Sequence, residues 1–306
     1  MQIVKSVEKK NFPSREIVLK EAEKLSLQAL SLLSPRNQRI VSLFFGLDGK
    51  SYSLAAIGKK MNITRERARQ IKVESLKKIR KNFNKFVPDN WPEFLTFWEQ
   101  FFLEQGGFLE MKRLGELMKK NLPTKNLGQI NLLLSLAEEQ FSFEKKSVKI
   151  KSFWRNKKNG PKRKEIIFAL EVIVTFLKEQ KTPFYQRELK NMQFPLTEKF
   201  SLETEIGRKR VLNLLFLSTS LGRNILRQWG FLTWPIITAN FTRERVYLVL
   251  KKSGQSLHFR RIAELIKEYW PEKKVVVQTV HNELIKDRRF VLERRGVYGL
   301  SEWKNK

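Results

Sequence analysis

Residues 34 to 81 read SPRNQRIVSLFFGLDGKSYSLAAIGKKMNITRERARQIKVESLKKIRK. Ser34-Pro35 starts a helix, a hydroxyl cap followed by proline at the first helical position. Ile40, Val41, Phe44 and Phe45 give that helix an apolar side, and Gly46 to Ser51 breaks it. Ser53 caps a short second helix carrying Leu54, Ala56 and Ile57. Met61-Asn62-Ile63 makes a tight turn, with Asn62 suited to a left-handed backbone. Thr64 caps a long third helix, Thr64 to Lys81, in which Ala68, Ile71, Leu76 and Ile79 recur at helical spacing and are expected in the core. The order is helix, helix, turn, helix: a helix-turn-helix with a supporting helix in front.

The other side of the third helix is polar. Arg65, Arg69 and Lys72 follow one line along it, and Glu66 and Gln70 lie beside them. A helix held forward by a tight turn enters a major groove. There arginine holds a guanine edge, glutamine an adenine edge, and glutamate accepts from cytosine. Arg65, Glu66, Arg69 and Gln70 are therefore the expected base-reading residues. Thr64, Arg67, Lys72, Lys77, Lys78, Arg80 and Lys81 are the expected phosphate contacts.

The residues also carry a resemblance. SPRNQRIVSLFFGLDG followed by SLAAIGKKMNITRERARQI resembles region 4 of the primary-type bacterial sigma-70 factors, and TRERARQI is its most specific part. The resemblance implies contact with a −35 element through Arg65, Glu66, Arg69 and Gln70, with RNA polymerase core as a possible second partner. After RQI the family usually has glutamate, where this chain has Lys72. Nothing in the chain resembles sigma region 2, which captures melted bases on aromatic side chains. The expectation is a protein that does not open promoters by itself.

The 306 residues hold 61 Lys plus Arg against 31 Asp plus Glu, a net charge of +30 spread along the chain. A folded protein this basic calls for a polyanionic partner, and double-stranded DNA is the one expected. Without cysteine, disulfides, thiolate catalysis and cysteine-ligated zinc are excluded. His258 and His281 lack metal-site spacing and are expected to pack. GLDGKS fails as a phosphate loop because Phe44 stands where the first glycine is required. Most of the seven tryptophans are assigned to cores. No nucleophile–base pair stands out. The expectations are no enzyme activity, no cofactor, no metal and no small-molecule substrate. The N-terminus lacks a signal-peptide core and the longest apolar run, Ile166 to Leu177, is too short for a bilayer, so a cytoplasmic protein without membrane contact is expected.

Outward from the central stretch, residues 14 to 33 form an amphipathic helix (Ile17, Val18, Leu25, Leu27, Leu30, Leu33), expected as a lid on the helix-turn-helix. Pro88 to Pro92 is a linker. Beyond it LEQGGFLEMKRLGELM, LKEQKTPFYQRELKNM and LKKSGQSLHFRRIAELI recur at roughly 75-residue spacing, the size of a small domain. Each opens a winged-helix-like unit of helix, short strand, helix, helix and hairpin. The expected fold is mainly α: a helix-turn-helix domain at 1–87 and winged-helix-like units at 88–158, 159–238 and 239–306, with small β-hairpin wings. In the middle unit YQRELKNM is its second helix, 204–229 hold the remaining helices, WGFLTWPII is a reduced wing, and Gln193 to Ser201 is an inserted loop.

In the last unit LHFRRIAELI and HNELIKDRRFVLERRGVYGLSEW resemble the HARE-HTH domain, a winged helix found on the RNA polymerase delta subunit, in chromatin proteins and fused to restriction enzymes. That resemblance implies a nucleic-acid or polymerase adaptor. Arg288, Arg289, Arg294 and Arg295 flank its wing as further possible contacts. Together these readings give a sequence-specific DNA-binding transcription factor. The alternatives are an RNA polymerase accessory subunit, sigma-like or delta-like, and the DNA-specificity component of a DNA-processing system.

Overall fold

A computed structural model describes residues 15–121 and 127–304. The chain divides into two compact units, one of residues up to 147 with 151–166, the other of 148–150 with the residues from 167 onward.

In the first unit, α1 spans Arg15–Ser31, α2 Pro35–Phe45, α3 Leu54–Met61 and α4 Arg65–Lys85. Residue 14, expected to start α1, lies outside the described residues. Ile40 and Leu43 of α2, Ile57 of α3, and Ala68 and Ile71 of α4 close a small core. The Ser53 hydroxyl accepts from the Ala56 amide (3.2 Å) and the Thr64 hydroxyl from the Arg67 amide (3.1 Å), so both expected caps form. Ser34 makes no side-chain cap bond; Pro35 alone marks that start. Asn62 takes the left-handed conformation, φ 53°, that the turn requires.

The helix α4 continues past the expected end at Lys81, and its second half belongs to another core. Leu76, Ile79 and Phe83 pack with α1 and with the elements that follow. These are α5 (Trp91–Glu104), β1 (Phe108–Glu110), α6 (Met111–Asn121), α7 (Leu127–Leu136), β2 (Phe141–Glu144) and β3 (Phe153–Asn156). The expected third helix at 126–140 is α7, with residue 126 outside the described residues. One cluster thus joins the helix-turn-helix to the first winged unit, across the division expected at residue 87. The position of α1 is a correction. It buries Ala22, Leu25, Ser26 and Ala29 chiefly against α5 and α7 and touches α4 lightly, so it is no lid on the helix-turn-helix. The small residues on this face allow close approach, and Leu27 stays exposed.

The second unit holds the residues of α8 (Arg163–Gln180) from 167 on, then β4 (Phe184–Tyr185), α9 (Glu205–Leu217), β5 (Leu221–Arg223), β6 (Gln228–Phe231) and the short α10 (Pro235–Thr238). The second helix expected at YQRELKNM is a 3₁₀ helix, Gln186–Asn191, tied at its start by the Tyr185 amide donating to Glu188 (2.7 Å). It buries Leu189 alone, too little to hold a longer α-helix. The wing is the pair β5–β6; Pro235 turns the rest of WGFLTWPII into α10. In the loop at 193–201, Phe200 is buried.

The chain then runs through α11 (Thr242–Ser253), β7 (Leu257–His258), α12 (Phe259–Tyr269), α13 (Val277–Lys286), β8 (Phe290–Arg294) and β9 (Val297–Leu300) around its own core. The β8–β9 hairpin turns at Gly296, φ +72°. His258 caps α12, and His281 stacks on Phe259 and bonds Tyr298 at 3.0 Å, both in packing roles. The three sheets share one antiparallel strand order, first strand, third, second: β1-β3-β2, β4-β6-β5 and β7-β9-β8. The fold is mainly helical, a helix-turn-helix followed by winged-helix-like units, as the sequence leads one to expect.

Candidate nucleic-acid interface

The turn before α4 fixes how far that helix stands out. Gly58 lies in α3 where a Cβ would come within 2.7 Å of the Ile63 carbonyl oxygen, so only glycine lets α3 and α4 close this tightly. Gly58 is absent from the residues expected to shape the site. Its sequence signal is a glycine inside the helical run LAAIGKKM, where alanine would be the better helix former.

With Ala68 and Ile71 locked inward, Thr64, Arg65, Glu66, Arg67, Arg69 and Gln70 are exposed along the first two turns of α4. The Glu66 carboxylate takes the Arg69 guanidinium in a double contact, Nε to Oε2 at 2.9 Å and Nη2 to Oε1 at 2.7 Å. The hydrogen bond from Arg69 holds the Glu66 carboxyl below its ordinary range and raises Arg69 in turn. Arg67 donates to Gln70 at 3.3 Å. The four residues expected to read bases are thus side by side, and one pair is already aligned. An arginine steered by a neighbouring carboxylate presents a fixed fork, the geometry a guanine edge needs.

Farther along, the cations part company. Lys77, Lys78 and Lys81 are exposed on the outer side. Arg80 turns inward: it donates to the Ser135 carbonyl (2.7 Å) and pairs with Glu138 (2.6 Å), tethering α4 to α7. Lys72 also leaves the outer face. Its ammonium lies 4.3 Å from the centre of the Phe44 ring, and burial lowers its pKa. In the last wing Arg288, Arg294 and Arg295 are exposed. Arg289 is engaged by Asp287 (2.7 Å) and by the buried Glu244 (3.1 Å), and serves the packing of its own unit.

Among the described residues no group of three or more His, Asp or Glu is placed to hold a metal ion, and no helix is long and apolar enough to cross a membrane. The family described as Sigma-70, region 4 matches residues 29–81. RNA polymerase sigma factor SigA of Clostridium acetobutylicum is 46% identical over 55 residues, 18% of this chain and 15% of that protein. A probable RNA polymerase sigma-C factor of Synechocystis is 42% identical over 65 residues, 21% of this chain and 16% of the relative. The chloroplastic RNA polymerase sigma factor sigF of Arabidopsis thaliana is 41% identical over 56 residues, 18% and 10% of the two chains. No solved structure matches the chain. This chain therefore covers about a sixth or less of the length of these curated relatives, and its helix-turn-helix is similar to region 4 of sigma factors.

Proposed function

We propose that this protein is a sequence-specific DNA-binding transcription regulator whose helix α4 lies in the major groove of duplex DNA. The observation that carries the reading is the first half of α4. Arg65, Glu66, Arg69 and Gln70 stand exposed on a helix that is capped, backed by a core and led by a tight turn, in a segment similar to sigma-70 region 4. Arg65, Glu66, Arg69 and Gln70 read base edges. Thr64, Arg67, Lys77, Lys78 and Lys81 hold phosphates, and the net charge of +30 supports the same partner. Exposed Arg288, Arg294 and Arg295 add a second basic surface on the last winged unit. The mechanism is binding, with no bond made or broken.

A second reading is an RNA polymerase accessory subunit. It is favoured by the names of the matched relatives, which are RNA polymerase sigma factors, and by the resemblance of the last unit to the HARE-HTH domain. The test is fluorescence anisotropy with labelled duplexes over a range of salt. DNA binding with a steep negative salt slope is expected. In Lys77→Ala the slope becomes shallower by about 0.9, the amount one phosphate neutralised by one lysine contributes. Absence of duplex binding alongside retention of core polymerase on the immobilised protein would overturn the first reading in favour of the second.

A further inference from the structure

Behind α4, in the first unit, lies a cavity of about 520 Å³. Its wall is aromatic: Phe44 from α2, Phe141 and Phe143 from β2, and Trp154 from β3. Phe143 is a large apolar side chain left 44% exposed, on a strand whose other phenylalanine is buried. Three lysines line the same space, of which Lys157 donates from its ammonium to the Glu138 backbone carbonyl; the other two are Lys72 and Lys145. Lys72 reaches it from α4, and Lys145 from just past the end of β2. Among the described residues neither is paired with a carboxylate. Glu138, the carboxylate on the wall, is already held by Arg80.

We propose that this cavity binds a small amphipathic anion: a carboxylate, sulfonate or phosphate carried on an aromatic or aliphatic body. Three features select that chemistry. The volume is that of a small-molecule site, and the aromatic lining is what such sites use to bury a ligand's body. The ammonium groups of Lys72 and Lys145 repel one another across a partly desolvated space, and an anion between them removes that repulsion and gains two charge-assisted hydrogen bonds. The stem of Lys72 is fixed by its position on α4 and its head by the Phe44 ring, so little order is lost on binding. Burial, with Lys145 the first of two neighbouring cations to add to it, lowers the Lys72 pKa, which agrees with a cation lacking its counter-ion. The proposal does not depend on whether α4 reads DNA.

The experiment uses the full chain and two fluorescent probes of like shape. One is the anion 1-anilinonaphthalene-8-sulfonate, the other its uncharged counterpart N-phenyl-1-naphthylamine. The sulfonate is expected to bind saturably with one site per chain. In the variant carrying Lys72→Gln and Lys145→Gln its affinity falls at least tenfold, while that of the uncharged probe stays within twofold. Phe143→Ala weakens both probes. Circular dichroism melting of each variant checks that the fold is kept; Lys72 is half-buried and Lys145 exposed, positions where glutamine is tolerated. Binding of the sulfonate that is not saturable overturns the proposal. So does equal weakening of both probes in the lysine variant, or sulfonate binding unchanged by it. The last result marks an apolar cavity without an anion site.

Discussion

Replacing Arg80 by methionine separates a tether from a DNA contact. Its guanidinium donates to the Ser135 carbonyl at 2.7 Å and meets Glu138 at 2.6 Å, with the arginine side chain 23% exposed and the glutamate 59% exposed. The ion pair faces water on one side and adds about 0–1 kcal/mol. The bond from a charged donor to a partly buried carbonyl adds about 1.5–3 kcal/mol. Methionine keeps most of the apolar stem in place. The expected destabilisation is about 2 kcal/mol, centred on the contact between α4 and α7. That corresponds to roughly thirtyfold faster hydrogen exchange at protected amides of those two helices, if they open together. The salt slope of DNA binding stays as in the unaltered protein, because no phosphate contact is removed. Unchanged exchange with a slope shallower by about 0.9 would show that Arg80 holds DNA and that the tether is dispensable.

Gly58→Ala drives a methyl group to within 2.7 Å of the Ile63 carbonyl, so the first unit is destabilised by about 1–3 kcal/mol for the overpacked turn, read as a lower melting temperature, and its DNA affinity falls with it. In acid, the ion pair of Asp287 with Arg289 sets a stability limit for the second unit. Its hydrogen bond from Arg289 depresses the folded pKa, so the contribution is complete above the ordinary aspartate value near ~4 and disappears as pH falls through the folded value. Asp287→Asn is expected to flatten that acid limb in a series of thermal melts from about pH 5 to about pH 2, and an unaltered limb counts against the pair. Deleting residues 239–306 is expected to lower DNA affinity and make the salt slope shallower while the selected motif is kept; an unchanged slope removes the wing arginines Arg288, Arg294 and Arg295 from the interface.

Local chemistry made much of this fold legible. Ser53, Asn62 and Thr64 each act within a few residues of their own position, and the turn they build is the one their side chains predict. The inward positions Ala68, Ile71, Leu76 and Ile79 are all buried, because a period of 3.6 residues is imposed by the helix alone. What was not readable depends on partners distant in sequence. That Leu76 and Ile79 face a different core from Ala68 follows from α7, more than forty residues away, and no pattern within α4 announces it. Arg80 and Lys77 look alike in a basic run, and Ser135 and Glu138 decide between them. Arg289 is set apart from Arg288 by Glu244, 45 residues earlier. Leu27 continued an apolar pattern that the small residues Ala22, Ser26 and Ala29 took over, since helices approach most closely where side chains are short.

The most direct test of the central claim is selection of binding sites from a random duplex library, with the unaltered protein and with Gln70→Ala in parallel. If α4 reads base edges, the unaltered protein returns a defined motif. Gln70→Ala then loses preference at one base pair, worth about 1–3 kcal/mol there, and keeps the rest. A single motif common to both proteins, or no motif from either, would contradict the reading of α4 as the sequence-recognising element.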